Sequence, residues 1–589
     1  MAGKKNKQAE EKSNVKIELS AHHKDTSIPH AIEKPALKES SLDLSPLESE
    51  TAESEYHHSS PASPIHTDFS AKIKEKVKTF FSDKYNVAFI GILILAFIIR
   101  LKYVTQESLW NDSAVHLWYA IKVTREPLFF FSPSYLMGDY AVPQTIMALF
   151  YLFTKNILLS GQIVATLYAL VGIIVIYLLG TELKNKFFGL MAASVLAFNH
   201  IFWFYSVRPL GDSPLLVTTI LLLYCMVRLE KENTMKWAIL SGAMFLAVMF
   251  TKLQSSLFVF ALLIYYLVCK RKEMFKNKAI LWSWLIPVGS ILIAHLVGKF
   301  FFGAKVLDRI FILFLDLRGM PFGLEALGMI KWIFSTYLLV LAALGLILVL
   351  IYKEKKYYFP ITLFFFYWLF FEVNVDNTQD RYMLPLLSVG VLLAVFALEE
   401  IRNYASLFLN KKITYLIPIA VVLLLSLNYY QIGNTLIYNK TFTYTGYEEA
   451  GTWIKENVPD DALVFAGEYR SIRLFSEREF GGPPNDEDLG GNIWNLRSPY
   501  RYTEIYANVS QKNFEEDIRN LSQKSDIYLE IDHWEYAQPS WYWPLKQESF
   551  DYFIGMGFQL VKVVEREVPT DKGFQKLPVI FILKKDKEI

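Results

Sequence analysis

The chain has 589 residues, of which 53% are hydrophobic and only 20% are charged, and its mean hydropathy is +0.25. This composition is too apolar for a single water-soluble globule and indicates a membrane protein. The formal net charge of +2 lacks the basic excess expected of a nucleic-acid-binding protein, and the two cysteines, Cys225 and Cys269, exclude a disulfide framework.

The first 70 residues are predicted to be a disordered tail. They are rich in Lys, Glu, Ser, Pro and His and contain few aromatic residues, so they cannot bury enough apolar surface to fold. They do not resemble a cleaved signal peptide, and the first apolar helix is therefore expected to act as the insertion signal. Five lysines precede the first apolar stretch, and this positive charge predicts that the tail lies in the cytoplasm. They are Lys72, Lys74, Lys76, Lys78 and Lys84.

Eleven apolar stretches follow, most of them close to the ~20 residues that cross ~30 Å of hydrocarbon. If they cross in turn, the cytoplasmic loops hold sixteen Lys and Arg residues and the short outer loops only three, which supports the count. The stretches are 86–104, 160–180, 188–206, 213–229, 237–251, 253–269, 279–299, 331–352, 357–373, 382–399 and 413–430.

One further apolar stretch, residues 141–155, would reverse the sidedness of every later loop if it crossed the membrane. As a helix it reaches only about 22 Å, so we expect it to dip into the outer leaflet within a long first outer loop, residues 105–159. An odd number of spans places the C-terminal part outside. We therefore predict that residues 436–589 form an extracytoplasmic α/β domain. The predicted elements are helices near 446–457 and 511–523, strands at 462–467 and 526–531, and a final pair of strands.

Charged residues gather at the outer ends of the predicted helices of the membrane domain, residues 71–435. Carboxylates near the membrane are costly unless paired or hydrated, so they are candidates for function. Asp112 and Asp212 are also placed to act as N-caps, and Lys252 to extend towards the headgroups, so these structural explanations stay open. The candidates are Asp112, His116 and Asp139 in the first loop, Arg208 and Asp212 in the second, Lys252, and the pair Arg381 and Tyr382.

The order of these motifs resembles the GT-C superfamily. An acidic residue follows Trp110 in a long first outer loop, and a short helix with a proline comes next. Three motifs follow in order: Arg208-x-x-x-Asp212, Thr251-Lys252 and Arg381-Tyr382-x-x-Pro385. The most similar branch contains polyprenyl-phosphate-sugar-dependent enzymes, namely the protein O-mannosyltransferases and the lipid A aminoarabinose transferases. The resemblance covers residues 86–430. It implies a mainly α, polytopic fold of about eleven transmembrane helices.

The resemblance also implies roles for these residues. Asp112 is expected to act as the catalytic base, with Asp212 in the same site. Arg381, Lys252 and Tyr382 are expected to bind the donor phosphate, and His116, Asp139 and Arg208 the substrates. Many relatives carry Asp-Glu where this chain has Asp112-Ser113. The W-W-D-x-G signature of oligosaccharyltransferases is not matched by His533-Trp534-Glu535-Tyr536, which disfavours transfer of a whole glycan to asparagine.

The sequence therefore predicts a multi-pass enzyme of the cell membrane that moves one sugar, a hexose such as mannose, from a polyprenyl or dolichyl phosphate. Inversion at the sugar carbon, a protein Ser/Thr or glycan acceptor, and contact with membrane lipid are expected. A metal site is not assigned, and a requirement for a divalent metal is left open. The alternatives are the same fold acting on a lipid-linked glycan, or a transporter or lipid-binding scaffold without catalysis.

Overall fold

The computed structural model describes residues 75, 78–104, 109–131, 141–302, 324–374, 379–479, 493–495, 507–532 and 547–588. The predicted disordered tail lies outside these residues. The described residues group into one compact unit. The helices up to residue 440 are α1 Lys84–Leu101, α2 Asn111–Arg125, α3 Ala141–Thr154, α4 Ile157–Leu183, α5 Lys186–Phe198, α6 His200–Ser206, α7 Asp212–Glu232, α8 Met235–Thr251, α9 Leu257–Tyr265, α10 Glu273–Lys276, α11 Lys278–Phe302, α12 Glu325–Tyr352, α13 Tyr358–Asn374, α14 Asp380–Met383, α15 Leu386–Ala405, α16 Lys411–Thr414 and α17 Leu416–Lys440.

Each of the eleven predicted apolar stretches is largely helical, and the protein is a mainly α, multi-pass membrane protein. Among the described residues, six helices are long and apolar enough to cross a membrane, and the pair α5 and α6 forms a seventh if it is counted as one bent span. Shorter apolar helices, including α3 and α8, accompany them. Eleven crossings therefore remain a prediction, as does the position of α3 in one leaflet.

The bend between α5 and α6 positions the second loop. The two helices meet at 63°, because Asn199 leaves the helical conformation and its side chain accepts a hydrogen bond from the Phe202 amide. Arg100 of α1, which is fully buried, donates to the Ala197 carbonyl at 3.1 Å and to Ser206 Oγ at 2.8 Å. The buried guanidinium thus satisfies a backbone carbonyl in the last turn of α5 and links α1 to both helices of the bend.

Helices α12 and α15 pack so closely that one position excludes a side chain. A Cβ atom on Gly345 would lie 1.9 Å from the Leu393 carbonyl oxygen, which belongs to backbone and cannot move aside by a rotamer change. We predict that Gly345→Ala lowers the thermal unfolding midpoint of the purified protein, since overpacking of this kind costs roughly 1–3 kcal/mol or more.

The matched control for this substitution is Gly91→Ala in α1, where nothing lies within 4 Å of the added Cβ. This change should be neutral or stabilising, because alanine favours a helix over glycine by about 1 kcal/mol. A Gly345→Ala protein that melts at or above the wild-type temperature would contradict the close approach of α12 and α15.

The C-terminal segment, defined here as residues 441–588, contains a five-stranded sheet. The predicted boundary at residues 435–436 lies inside α17, which continues to Lys440. Strand order is β2-β1-β3-β5-β4, with β1 parallel to both β2 and β3, and β5 antiparallel to β3 and β4. The elements are α18 Tyr447–Asn457, β1 Leu463–Ala466, α19 Tyr469–Ser476, β2 Ile493–Asn495, α20 Ala507–Ser522, β3 Ile527–Asp532, α21 Gln547–Gly555, β4 Gln559–Thr570 and β5 Gly573–Lys585.

The sheet is joined to the helices through α19. The chain leaves the carboxyl end of β1 at Ala466 and enters α19 at Tyr469. Leu474 of α19 is buried together with Leu117 and Trp118 of α2 and Met147 of α3 in one apolar cluster. The carboxyl end of β1, the edge at which parallel strands usually present functional groups, therefore lies against the first loop.

Candidate active site

The first feature of the site is an ion pair between residues far apart in the chain. Asp112 lies in the first turn of α2, and Arg381 lies in the short helix α14. Arg381 Nη1 is 2.7 Å from Asp112 Oδ2, and their side chains are 11% and 34% exposed. The structure thus joins the predicted catalytic base directly to a predicted phosphate-binding residue.

A second ion pair is buried beside the first. Lys252 follows α8, and its Nζ is 2.7 Å from Oδ1 of Asp212, the first residue of α7. The two side chains are 2% and 1% exposed. The charge of Asp212 acts on both Arg381 and His116, so both pairs belong to one electrostatic cluster.

The structural explanations that the sequence left open do not describe these residues. The N-cap positions are occupied by Trp110 before α2 and Gly211 before α7, so neither aspartate is an N-cap. Both aspartates lie in the first turn, where the helix dipole favours a negative charge. Lys252 does not extend to solvent; it is buried against a carboxylate.

Asp112 is held in its ionised form. Burial alone would raise the pKa of the Asp112 carboxyl, but the charge and hydrogen bond of Arg381, together with the charge of Arg470, hold this pKa below its ordinary value. Asp112 is therefore an anion at neutral pH. A carboxylate in that state is able to orient a hydroxyl group and accept its proton.

His116 lies one turn after Asp112 and is 4% exposed. Burial lowers the pKa of His116 to about 4, although Asp112 and Asp212 act in the opposite direction, so the ring is neutral at neutral pH. Its Nδ1 lies 3.1 Å from the amide nitrogen of Gln144 in α3. Since that amide nitrogen donates, Nδ1 accepts and the ring proton is carried by Nε2.

Trp110 forms an aromatic surface surrounded by cations. The guanidinium carbons of Arg208 and Arg381 each lie 5.7 Å from its ring centroid, and Lys440 Nζ lies 4.6 Å away. Arg208 is itself buried, stacks on Phe204 at 3.5 Å and donates to the Phe204 carbonyl. This clustering of positive charge is suited to an anionic ligand.

Tyr382 lies between the two ion pairs. Lys252 Nζ is 4.5 Å, and Arg381 Cζ 5.4 Å, from its ring centroid. The neighbouring Asp380 accepts hydrogen bonds at 2.7 Å from the Tyr205 hydroxyl and from the Arg381 amide, which fixes the start of α14. Seven of the eight predicted residues therefore lie in or beside one cluster, and Asp139 lies outside the described residues.

The sequence interpretation missed the contribution of the C-terminal segment. Arg470 Nη1 of α19 lies 3.0 Å from Asp112 Oδ1, and Asn111 Nδ2 donates to Glu468 Oε2 at 2.5 Å. No local pattern distinguishes Arg470 from the other charged residues of its segment. Within the part of the chain that the structure describes, no group of three or more His, Cys, Asp or Glu side chains is placed to hold a metal ion.

Comparisons with known proteins agree with this architecture. Residues 141–297, which run from α3 into α11 and include Arg208, Asp212 and Lys252, match the family model described as dolichyl-phosphate-mannose-protein mannosyltransferase. The match covers less than half of the chain. No curated protein sequence matches at a significant level.

Two solved structures share the fold. ArnT from Cupriavidus metallidurans, bound to undecaprenyl phosphate, is 12% identical with a TM-score of 0.50, and the alignment covers 84% of this chain and 97% of ArnT. An oligosaccharyltransferase from Archaeoglobus fulgidus in the apo form is 12% identical with a TM-score of 0.50, covering 76% of this chain and 70% of that chain. Both are GT-C superfamily members, so the resemblance inferred from the sequence is confirmed at the level of the fold.

Proposed function

We propose that this chain, which has the GT-C fold, is an integral-membrane glycosyltransferase that moves one sugar from a polyprenyl or dolichyl phosphate to an acceptor outside the cytoplasm. The observation that carries the proposal is the contact of the Asp112 carboxylate with the Arg381 guanidinium at 2.7 Å. The family description of residues 141–297 and the undecaprenyl phosphate of the ArnT structure support the choice of a lipid phosphate donor.

Glycosyl transfer needs two kinds of group on opposite sides of an oxocarbenium-like carbon. The attacking hydroxyl needs a base, and the departing phosphate needs positive charge that is already in place. Asp112 is the proposed base. Arg381 offers a planar fork matched to a phosphate, and Lys252 and Tyr382 are the proposed further contacts of the donor head.

The ion pair also suggests how the two roles are coupled. In the structure the Arg381 guanidinium forms an ion pair with the Asp112 carboxylate. A donor phosphate that binds Arg381 draws part of that charge away, which makes the Asp112 carboxylate more basic. The base is thus strengthened when the donor is bound, and direct attack of the acceptor on the sugar inverts its anomeric carbon.

Asp212 is proposed to hold Lys252 in position, and His116, Arg208 and Asp139 to contact the substrates. We assign mannose as the expected hexose on the family description, and protein Ser/Thr or a glycan as the acceptor. The N-terminal tail is placed in the cytoplasm and residues 436–589, as an α/β domain, outside it. This topology puts the site at the membrane surface, where a lipid-borne sugar is accessible and its chain stays between the helices.

The test of the proposed function uses purified protein with radiolabelled polyprenyl-phosphate mannose and a panel of acceptors. We expect label in a Ser/Thr-containing peptide or in a lipid-linked glycan, with release of the polyprenyl phosphate. The identity of the labelled acceptor decides between these two substrate classes. Transport of the lipid without any sugar transfer would contradict the proposal and favour a non-catalytic transporter.

Replacing Arg381 tests the donor side of the site. Arg381→Ala should raise the donor KM and lower kcat by roughly 10²–10³-fold, because it removes positive charge from the leaving phosphate. Arg381→Lys should restore part of the rate, since it retains the charge without the fork. The measurement is initial rates at varied donor and fixed acceptor.

The matched control for this prediction is Arg402→Ala. Arg402 is paired with Glu399 at 2.7 Å near the end of α15, away from the cluster. This variant should keep the wild-type donor KM. An Arg381→Ala protein with unchanged donor KM and kcat would remove Arg381 from donor binding.

A further inference from the structure

The C-terminal segment docks along the whole length of α2. Polar contacts begin at the first residue of this helix, next to the candidate base, and end at its last residue, and Leu474 is buried in the apolar cluster beneath them. The contacts are Asn111 with Glu468 at 2.5 Å, Asp112 with Arg470 at 3.0 Å, Arg473 over the Trp118 ring at 4.5 Å, Lys122 with Glu479 at 3.4 Å, and Arg125 with Glu477.

One of these contacts reaches the candidate base itself. Arg470 approaches Asp112 Oδ1, whereas Arg381 approaches Oδ2, so each carboxylate oxygen has its own cation. The Arg470 side chain is 39% exposed and that of Arg381 only 11%. The two cations are therefore placed differently: Arg381 lies inside the cluster, and Arg470 covers Asp112 from the side of the C-terminal segment.

We infer that Arg470 is a positioning residue of the proposed transfer reaction, and that it holds the Asp112 carboxylate in place when the donor phosphate takes up part of the charge of Arg381. The inference rests on the proposed function and adds to it. It makes the C-terminal segment part of the active site, because α19 carries the residue that orients the base.

The consequence is measurable as a pH dependence. Among the described residues, the charged and titratable groups with the largest effect on Asp112 are Arg381, Arg470 and His116, and Glu468 lies beside them in contact with Asn111. His116 is neutral above its pKa of about 4, so the two arginines hold the carboxyl ionised at neutral pH. Because the folded pKa of Asp112 is depressed, activity that needs the anion is present at neutral pH and is lost as the pH falls.

The experiment compares kcat and kcat/KM between pH 4 and pH 8 for wild type, Arg470→Ala and Arg470→Lys. The acidic limb is the part of the pH–rate profile in which activity falls as the pH is lowered. In Arg470→Ala this limb should move to higher pH by roughly one unit, since one of the two cations beside Asp112 is lost. Its kcat should fall roughly tenfold or more, while the donor KM changes little because Arg381 remains. Arg470→Lys should restore most of the limb position.

The matched control is Arg473→Ala on the same helix. Arg473 contacts Trp118 and Glu479, whereas the ion pairs of Asp112 within the described part of the chain are with Arg381 and Arg470. This variant loosens the same docking surface and should leave the acidic limb where it is in the wild type. An Arg470→Ala profile that superimposes on the wild type with unchanged kcat, or an equal shift in Arg473→Ala, would overturn the inference.

A second measurement does not depend on activity. Cysteines replace Asn111 and Glu468 in a chain lacking Cys225 and Cys269, and a short bifunctional thiol reagent should crosslink them. The control pair combines Asn111→Cys with Lys576→Cys, which lies at an exposed position of β5, and this pair should not crosslink. If the cysteine-substituted chain crosslinks but the wild-type chain transfers no sugar, the docking is supported and the proposed function is contradicted, whereas a cysteine-substituted chain that is active and does not crosslink overturns the inference.

Discussion

Asp112→Asn should abolish sugar transfer while leaving the protein folded and inserted in the membrane. The amide has nearly the same shape as the carboxylate but cannot accept a proton from the acceptor hydroxyl. Loss of a general base typically costs about 10²–10⁴-fold in rate. The measurement is initial transfer rate with saturating donor, together with the thermal midpoint and the elution profile of each purified protein.

The matched control makes the same chemical change elsewhere. Asp83 is the N-cap of α1, accepts from the Tyr85 amide and pairs with Lys186, at the end of α1 opposite to the first loop. Asp83→Asn should keep the wild-type rate. Wild-type transfer by the Asp112→Asn protein would remove Asp112 from the mechanism, however well the ion pair is formed.

The second large effect concerns stability. Lys252→Met should strongly destabilise the protein, because it leaves the buried Asp212 carboxylate without its ion-pair partner. Breaking a buried ion pair from one side costs about 3–5 kcal/mol. The side chains are 2% and 1% exposed, so solvent cannot substitute for the lost partner. Thermal unfolding of the detergent-solubilised protein measures the effect.

A double substitution separates the ion pair from the loss of either side chain. Lys252→Met combined with Asp212→Asn removes both charges and should recover much of the stability that Lys252→Met loses. The control is Lys576→Met, which breaks an exposed pair with Glu565 and should cost less than about 1 kcal/mol. If Lys252→Met melts with the wild type, the buried pair is not as the structure describes it.

Much of the membrane part was predictable from composition. Apolar length and the distribution of Lys and Arg located the helical stretches, because the bilayer imposes its thickness and charge asymmetry on the sequence. The bend at Asn199 was not predictable, since the stretch 188–206 is mostly apolar and the break depends on one side chain capping α6. A few polar residues within an apolar run give too weak a signal.

The sequence predicted which residues belong to the candidate site better than it predicted which of them form ion pairs with each other. Asp112 and Arg381 are separated by 268 residues of chain, and the predicted topology together with the resemblance of ordered motifs suggested that they share a site. The pairing of Lys252 with Asp212 depends on tertiary packing of α7 against α8. Arg470 escaped notice because α19 is a polar, amphipathic helix in which a charged residue is ordinary, so its role follows only from its position beside Asp112.

The most direct test of the account is the sidedness of transfer in sealed proteoliposomes. Protease access to the N-terminal tail reports the orientation of the protein in the vesicles. The polyprenyl-phosphate sugar is incorporated into the bilayer. A membrane-impermeant acceptor should be glycosylated only when it is supplied on the side opposite the tail, which is the side that the proposed topology gives to the C-terminal segment. Transfer confined to the side of the tail would contradict the account.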